Sequence, residues 1–224
     1  MTDAEEGALT AAKKRLFESI RTEVKDERVI RAMERVPREH FVPENLQDRA
    51  YEDSALPIGH GQTISQPLMV AIMVSALMVR RTDKVLEVGT GSGYQTALLA
   101  GLAGRVVSVE RLSDLSSRAG ERLAKLGYTN VAMHGAGREL GWPAGAPYDA
   151  IVVAAGAPRL PKILMDQMAP GGRLVVPVGP ADTQELMRVI RGARDFSIHT
   201  LGGCRFVPLI GDGAWVEDDP ELTG

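Results

Sequence analysis

The stretch "VLEVGTGSGYQTA", residues 85–97, joins a β-type run to a helical run through a turn with three glycines. Gly89, Gly91 and Gly93 occupy alternate positions in this turn. Glycine allows the backbone to take positive φ and to approach a ligand closely, and the helix that follows begins with free N–H groups. The stretch therefore predicts an α/β fold with a ligand site at the carboxyl ends of the strands, where the strand order reverses.

The rest of the chain continues this alternation of strands and helices. Two helices are predicted within residues 10–35 and a third from Pro67 to Met78. Alternation with helices favours a mostly parallel, doubly wound sheet, and closer spacing favours an antiparallel C-terminal portion. The predicted parallel strands are 84–89, 105–110, 130–135, 148–156 and 173–179, and the predicted C-terminal strands are 185–192, 196–204 and 205–210.

We expect one integrated domain with three segments. Residues 1–80 form N-terminal helices and a segment that covers the substrate and cofactor, and residues 81–212 form the core. Residues 213–224 are expected to be a loose C-terminal tail.

Composition excludes several classes of protein. The 224 residues carry a net charge of −3, so attraction to nucleic acid or to a membrane is not expected. Cys204 is the only cysteine, which excludes an intramolecular disulfide and a multi-cysteine metal site, and no metal is predicted. The acidic N-terminus "MTDAEEGALT" does not read as a secretory signal. We expect a soluble, monomeric cytoplasmic protein.

The glycine turn does not match the phosphate-binding patterns. A P-loop requires Gly-Lys-Ser/Thr, and the dinucleotide fingerprint requires a sixth-position glycine where this chain has Tyr94. Glu87 suits a cationic ligand, and Glu110, which ends the next strand, can accept both hydroxyls of a ribose. Together these features predict S-adenosylmethionine, with S-adenosylhomocysteine as product. The competing interpretations are a turn that only packs a helix on the sheet and a Glu87 that is only a strand-end charge.

From about residue 13 to residue 210 the chain resembles the protein-L-isoaspartate (D-aspartate) O-methyltransferases. The segments that carry the resemblance are "RVPREHFVPE", "LPIGHGQTISQP", "VLEVGTGSGYQTA", "VVSVER", "YDAIVVAAGAP", "PGGRLVVPVG" and "RFVPL". The resemblance implies a Rossmann-like class I S-adenosylmethionine-dependent methyltransferase that acts on isoaspartyl peptides and damaged proteins. Such an enzyme methylates the α-carboxylate of L-isoaspartyl residues, and the ester then closes to a succinimide that hydrolyses in part to aspartate.

The chemistry agrees with the absence of a sequence motif for a general base. A carboxylate is already ionised at neutral pH, so catalysis consists of aligning the reactants and excluding water. Uncharged donors such as Thr63 and Ser65 can orient that carboxylate, and the resemblance marks Ser65 as the active-site residue. The alternative is that Ser65 caps the helix that begins at Pro67.

Further residues complete the expected site. The expected substrate residues are His60, Gln62, Ile64 and Gln184, and the expected cofactor residues are Glu87, Gly89, Thr90, Gly91, Ser92, Gly93, Glu110, Arg111, Gly135, Ala136 and Gly137. His60 could instead be a loop-packing histidine, and Gln184 a solvated loop residue.

Ala136 departs from the family pattern. Relatives usually carry an acidic residue there that accepts a hydrogen bond from the adenine amino group, and alanine cannot accept one. Leu68 also stands where relatives often have an aromatic residue or histidine, so the resemblance does not extend to this part of the expected cofactor lid. Two alternatives therefore stay open: a relative that methylates an aspartate of one dedicated peptide, and a binding module that has lost catalysis.

Overall fold

The computed structural model describes residues 3–217 and 219–222. Its main sheet has seven strands in the order β5-β4-β3-β6-β7-β8-β9. The strands are β3 (Lys84–Val88), β4 (Arg105–Glu110), β5 (Val131–Gly135), β6 (Tyr148–Val153), β7 (Met168–Val178), β8 (Gln184–Arg191) and β9 (Phe196–Cys204). The first five are parallel, and β8 and β9 are antiparallel. The predicted class of sheet is confirmed.

The helices cover the sheet and form an N-terminal layer. They are α1 (Asp3–Glu23), α2 (Glu27–Arg35), α3 (Pro67–Leu77), α4 (Tyr94–Leu102), α5 (Ser113–Lys125) and α6 (Lys162–Asp166). Asp26 caps α2 by accepting a bond from the Arg28 N–H, and the apolar face of α2 is buried. Among the described residues, none of these helices has the length and apolar character needed to cross a bilayer.

The N-terminal layer and the sheet share one hydrophobic core. Phe17 of α1 and Ile30 of α2 belong to the same buried cluster as Val85 of β3. A second cluster, which includes Leu86 and Ile151, lies on the other face of the sheet. Alternate residues of the central strands thus face opposite layers, as a doubly wound sheet requires.

The segment "LPIGHGQTI" forms a short hairpin of β1 (Leu56–Gly59) and β2 (Gln62–Ile64). Its turn, Gly59-His60-Gly61, has φ values of +96°, +54° and +68°. The two glycines adopt this left-handed backbone without the steric cost that a side chain would add. The hairpin leads directly into α3, whose first residue is Pro67 as predicted.

The prediction of a strand at residues 205–210 is wrong. The segment makes only isolated bridges, from Pro208 to Gly156 and from Ile210 to Trp215. Pro208 has no N–H to donate, and the Phe206 N–H donates to the side chain of Gln184 at 2.7 Å. Too few backbone groups remain to pair as a continuous strand.

The prediction of a loose tail is also wrong for the part of the tail that the structure describes. Trp215 is buried, and its indole N–H donates to the Gly156 carbonyl at 3.1 Å. Glu217 forms a 3.0 Å ion pair with Arg111. A large aromatic side chain gains most of its stabilisation by burial, and here that burial folds the tail back over the carboxyl edge of the sheet.

Candidate active site at the carboxyl edge of the sheet

A cavity of about 260 Å³ lies where the strand order reverses, beside the glycine turn. Val88 at the end of β3, Glu110 at the end of β4 and Ala154 just after β6 all line it. Of the predicted cofactor residues, the cavity is lined by Gly89, Thr90, Gly91, Ser92, Glu110, Arg111, Ala136 and Gly137. Gly93 and Gly135 stand next to this set in the chain, and neither lines the cavity.

The glycines of the turn have the predicted backbone. Gly89, Gly91 and Gly93 have φ values of +94°, +53° and +87°. A Cβ at Gly89 would lie 3.4 Å from the Cβ of Ala154, so the turn already approaches the next strand end closely. Gly89 and Gly91 thus present backbone and no side chain to the cavity, and we call this part of its wall the glycine floor.

Glu110 is held at the cavity by backbone donors. One carboxylate oxygen accepts from the Gly91 N–H and the other from the Leu112 N–H, each at 2.9 Å. A carboxylate has about four acceptor positions, so each oxygen can still accept one hydroxyl. This geometry fits the ribose diol of S-adenosylmethionine.

Glu87 lies behind the turn and does not line the cavity. It is fully buried, and its carboxylate accepts bonds from Gln95, Thr96 and Ser108 at 3.2, 2.5 and 2.7 Å. Burial is the main cause that raises the pKa of Glu87 to about 7. Its effect on a ligand is therefore indirect, through Gln95, which lines the cavity.

Ser108 extends this network to the turn itself, since its hydroxyl lies 2.6 Å from that of Thr90. Thr90 lines the cavity, and Ser108 bonds Glu87 at the same time. The prediction that Glu87 faces the ligand is therefore wrong. The structure shows it as the anchor of buried hydroxyls beneath the ligand site.

The loop after β5 contributes more residues than the sequence predicted. Ala136 lines the cavity and offers no side-chain acceptor. Glu139, Leu140 and Gly141 line it as well. The added acidic residue, Glu139, has no counterpart among the predicted contacts, because the fold of this loop is not readable from local spacing.

The hairpin closes the other side of the cavity. Gln62, Thr63, Ile64 and Ser65 all line it. Of the predicted substrate residues, Gln62 and Ile64 line this cavity alone. A second, more open cavity of about 1060 Å³ adjoins the first. Thr63 and Ser65 line both cavities, together with Ala154, Val207 and Pro208. We call these five residues the window.

Ser65 does not cap α3, which contradicts the capping alternative. The N-cap of α3 is Gln66, and no side chain of its own forms the cap bond. Asp53 takes that role from the preceding loop: its carboxylate accepts from the Leu68 N–H and from the Gln66 amide, each at 2.9 Å. Among the described residues no hydrogen bond uses the Ser65 hydroxyl, so it is available to a ligand.

Two predicted substrate residues lie away from the cavities. His60, at the tip of the hairpin, pairs with Asp114 of α5 at 2.8 Å and lines neither cavity. Gln184 is buried, donates to the carbonyls of Pro180 and Ala181, and accepts from the Phe206 N–H. Gln184 therefore fastens the "RFVPL" segment, whose Val207 and Pro208 form part of the window.

The described part of the tail also reaches the site. Glu217 lines the first cavity, and Glu221 and Leu222 line the second. Arg111 follows Glu110 at the cavity and is paired with Glu217 at 3.0 Å. Sequence reasoning missed these contacts because nothing in the local composition of the tail indicates where it packs.

The arrangement suits transfer of a group between two bound molecules. One cavity has a glycine floor and a carboxylate held by backbone donors, and the other opens toward solvent. Neutral hydroxyls stand between them at Thr63 and Ser65. Such donors orient an anion without the strong attraction of a salt bridge.

Comparison with protein families gives one description for most of the chain. A model of the protein-L-isoaspartate(D-aspartate) O-methyltransferase (PCMT) family matches residues 11–214. The protein-L-isoaspartate O-methyltransferase of Methanoculleus marisnigri is 54% identical over 190 residues, which is 85% of this chain and 86% of that protein. The one from Rhodopseudomonas palustris is 51% identical over 199 residues, or 88% of this chain and 91% of that protein.

Solved structures agree. A protein-L-isoaspartate O-methyltransferase superposes with a TM-score of 0.80 at 25% identity, over 90% of this chain and 67% of that one. A Plasmodium falciparum structure, described as a putative protein-L-isoaspartate O-methyltransferase in complex with S-adenosyl-L-homocysteine, has a TM-score of 0.76 at 27% identity. It covers 87% of this chain and 96% of the other.

Proposed function

The chain belongs to the protein-L-isoaspartate(D-aspartate) O-methyltransferase family, and from that premise we propose which ligand each cavity binds and what its residues do. The enzyme transfers methyl from S-adenosylmethionine to the α-carboxylate of L-isoaspartyl residues in protein repair. We assign the 260 Å³ cavity to the cofactor and the 1060 Å³ cavity to the isoaspartyl peptide. The observation that carries this assignment is that Thr63 and Ser65 line both cavities.

The residues around the first cavity fit the cofactor. Glu110 is placed to accept the ribose hydroxyls, and the glycine turn provides a surface that a ligand can approach closely. Gln95, held by buried Glu87, adds a polar group on the wall. When bound, S-adenosylmethionine supplies an electrophilic methyl group and a thioether leaving group.

The window residues orient the attacking oxygen. The substrate carboxylate is ionised at neutral pH and needs no base. The Ser65 hydroxyl, which has no hydrogen bond to any described residue, is free to donate to it. Apolar Val207 and Pro208 on the other side of the window exclude water from the path between the two cavities.

The comparisons do not favour the two alternatives of a dedicated-peptide methyltransferase and a catalytically lost binding module. Damaged proteins as the partners, a monomeric state and a cytoplasmic location stay predictions. The single cysteine supports the predicted location, because it is in keeping with a reducing compartment.

The role of Ser65 can be tested by separating turnover from binding. We expect Ser65→Ala to lower kcat on an isoaspartyl peptide by about tenfold or more, because misorientation of a bound reactant is costly. The Kd of S-adenosylhomocysteine, measured by calorimetry, should stay within about twofold. Ser197→Ala, which removes an exposed hydroxyl on β9, is the matched control. A kcat of Ser65→Ala close to that of the control would refute the positioning role.

A further inference from the structure

A buried arginine connects the substrate side of the site to the cofactor side. Arg38 is fully buried in the short 3-10 helix Arg38–Phe41. Its Nη2 donates to the Ser65 carbonyl and its Nε to the Ala50 carbonyl, each at 2.8 Å. The first of these bonds reaches the backbone of Ser65, the window residue that lines both cavities.

The same guanidinium packs on the first residue of α4. Its central carbon lies 4.8 Å from the centre of the Tyr94 ring, and such cation–π contacts are strengthened by burial. Tyr94 directly follows the glycine turn and lines the cofactor cavity. Phe41, from the same 3-10 helix as Arg38, meets the ring edge-on at 5.6 Å between centres.

This charge is kept in the interior at a cost. Among the described residues, no carboxylate bonds Arg38, and its Nη1 and the Tyr94 hydroxyl have no hydrogen-bond partner. Burying a guanidinium without a full set of partners is unfavourable. Neutral donors would be enough to join the two loops. The planar shape and rigidity of the Arg38 guanidinium therefore require another explanation.

We propose that Arg38 is a positioning residue that holds the Ser65 backbone at a set place relative to the glycine turn. The planar guanidinium holds the Ala50 and Ser65 carbonyls in one plane, and its stacking on Tyr94 fixes that plane relative to the start of α4. Because methyl transfer requires the attacking oxygen and the methyl group to be in line, a small shift of Ser65 lowers the rate of the bound complex. This inference rests on the proposed function.

The first test variant removes the planar guanidinium of Arg38 but keeps its positive charge. We expect Arg38→Lys to lower kcat at least tenfold, with the peptide KM and the S-adenosylhomocysteine Kd within about threefold of wild type. Arg38→Gln, which can keep one bond but loses the charge, should behave alike. Circular dichroism shows whether each variant is folded, and calorimetry shows whether it still binds S-adenosylhomocysteine.

Arg173→Lys is the matched control. Arg173 is also buried, donates to the carbonyls of Leu77 and Asp149 at 2.8 Å and pairs with Asp83 at 2.5 Å. None of these three partners lines either cavity, whereas the Ser65 partner of Arg38 lines both. Its substitution should lower Tm and leave kcat within twofold. A merely structural role for Arg38 would produce the same pattern in Arg38→Lys, a lower Tm with kcat unchanged.

The inference is overturned if kcat of Arg38→Lys stays within twofold of wild type. It is equally overturned if both Arg38 variants fail to fold while Arg173→Lys folds, since Arg38 would then be a determinant of folding. Wild-type turnover in the same assay separates the two claims. An inactive wild type contradicts the proposed function, whereas an active wild type with an unaffected Arg38→Lys contradicts only the role of Arg38.

Discussion

At the scale of single residues, Ala136 lines the cavity without a side-chain acceptor, at a position where the resemblance implies an acidic residue in relatives. We expect Ala136→Asp to tighten cofactor binding by about tenfold, because one added hydrogen bond to a charged group contributes about 1.5–3 kcal/mol. The measurement is the Kd of S-adenosylhomocysteine and the KM of S-adenosylmethionine. Ala144→Asp adds the same charge at an exposed residue outside the cavity and should change neither value.

Unchanged affinity in Ala136→Asp would mean that the loop already satisfies its ligand by another group. Glu139 is the carboxylate of this loop that lines the cavity. In that case Glu139→Gln should weaken binding. The two variants together show whether the cavity lacks this hydrogen-bond acceptor or provides it at Glu139 instead.

The sequence predicted well which residues line the cavity. It predicted poorly which polar residues hold those residues in place from behind. Glu110 and the hairpin residues Thr63 and Ser65 were predicted because the end of a strand and a neutral, glycine-bounded segment indicate where side chains face. Glu87 and Gln184 were expected to meet ligands, yet each bonds groups far along the chain, Ser108 and Phe206 respectively. Polar residues look alike in sequence whether their partner is a ligand or a distant backbone, so only the fold distinguishes them.

At the scale of elements, Glu87 joins β3 to β4 and α4 through one buried carboxyl group. Its pKa of about 7 in the folded protein compares with 4.5 for the free side chain. The folded state therefore binds this proton more tightly than the unfolded chain. The resulting stabilisation is fully present below about pH 4.5 and is lost as the pH rises through about 7.

We accordingly expect Glu87→Gln to lack this pH dependence. Between pH 5 and pH 8 the unfolding free energy of wild type should fall relative to that of Glu87→Gln by about 1–3 kcal/mol, since one pKa unit corresponds to about 1.4 kcal/mol. Urea denaturation at several pH values measures it. Glu185→Gln, at an exposed position of β8, should track wild type. Parallel pH profiles for wild type and Glu87→Gln would contradict the burial argument.

The boundaries of helices were predictable where they depend only on residues nearby in the chain. Asp26 before α2 and Pro67 at the start of α3 mark helix starts by rules that need no tertiary partner. The 205–210 segment has the composition of a strand, but its backbone donors are taken by the Gln184 side chain and by Gly156. The cap of α3 comes from Asp53, a residue outside the helix that no spacing rule identifies.

At the scale of the whole molecule, the site is assembled from segments far apart in the chain. The hairpin, the glycine turn, the loop after β5, the "RFVPL" segment and the tail meet at one edge of the sheet. The parallel sheet was predictable from alternation, and it places the strand ends together. The closure by Trp215 and Glu217 was not predictable, because it depends on the surface that the finished sheet presents.

Under the proposed assignment of the two cavities, substrate choice is a property of the window between them. An isoaspartyl residue offers a free α-carboxylate beside the main chain, whereas the carboxylate of an ordinary aspartyl residue is on its side chain. The two isomers have the same composition and charge. A preference between them therefore reports where the carboxylate is held and not how strongly the site attracts anions.

The most direct measurement is methanol release from S-adenosylmethionine with an isoaspartyl peptide and with the aspartyl peptide of the same sequence. Methanol arises when the new ester closes to the succinimide, so it counts completed transfers. The account predicts release with the isoaspartyl peptide and none above background with the aspartyl peptide. Equal release from both peptides, or none from the isoaspartyl peptide by an enzyme that binds S-adenosylhomocysteine, would contradict it.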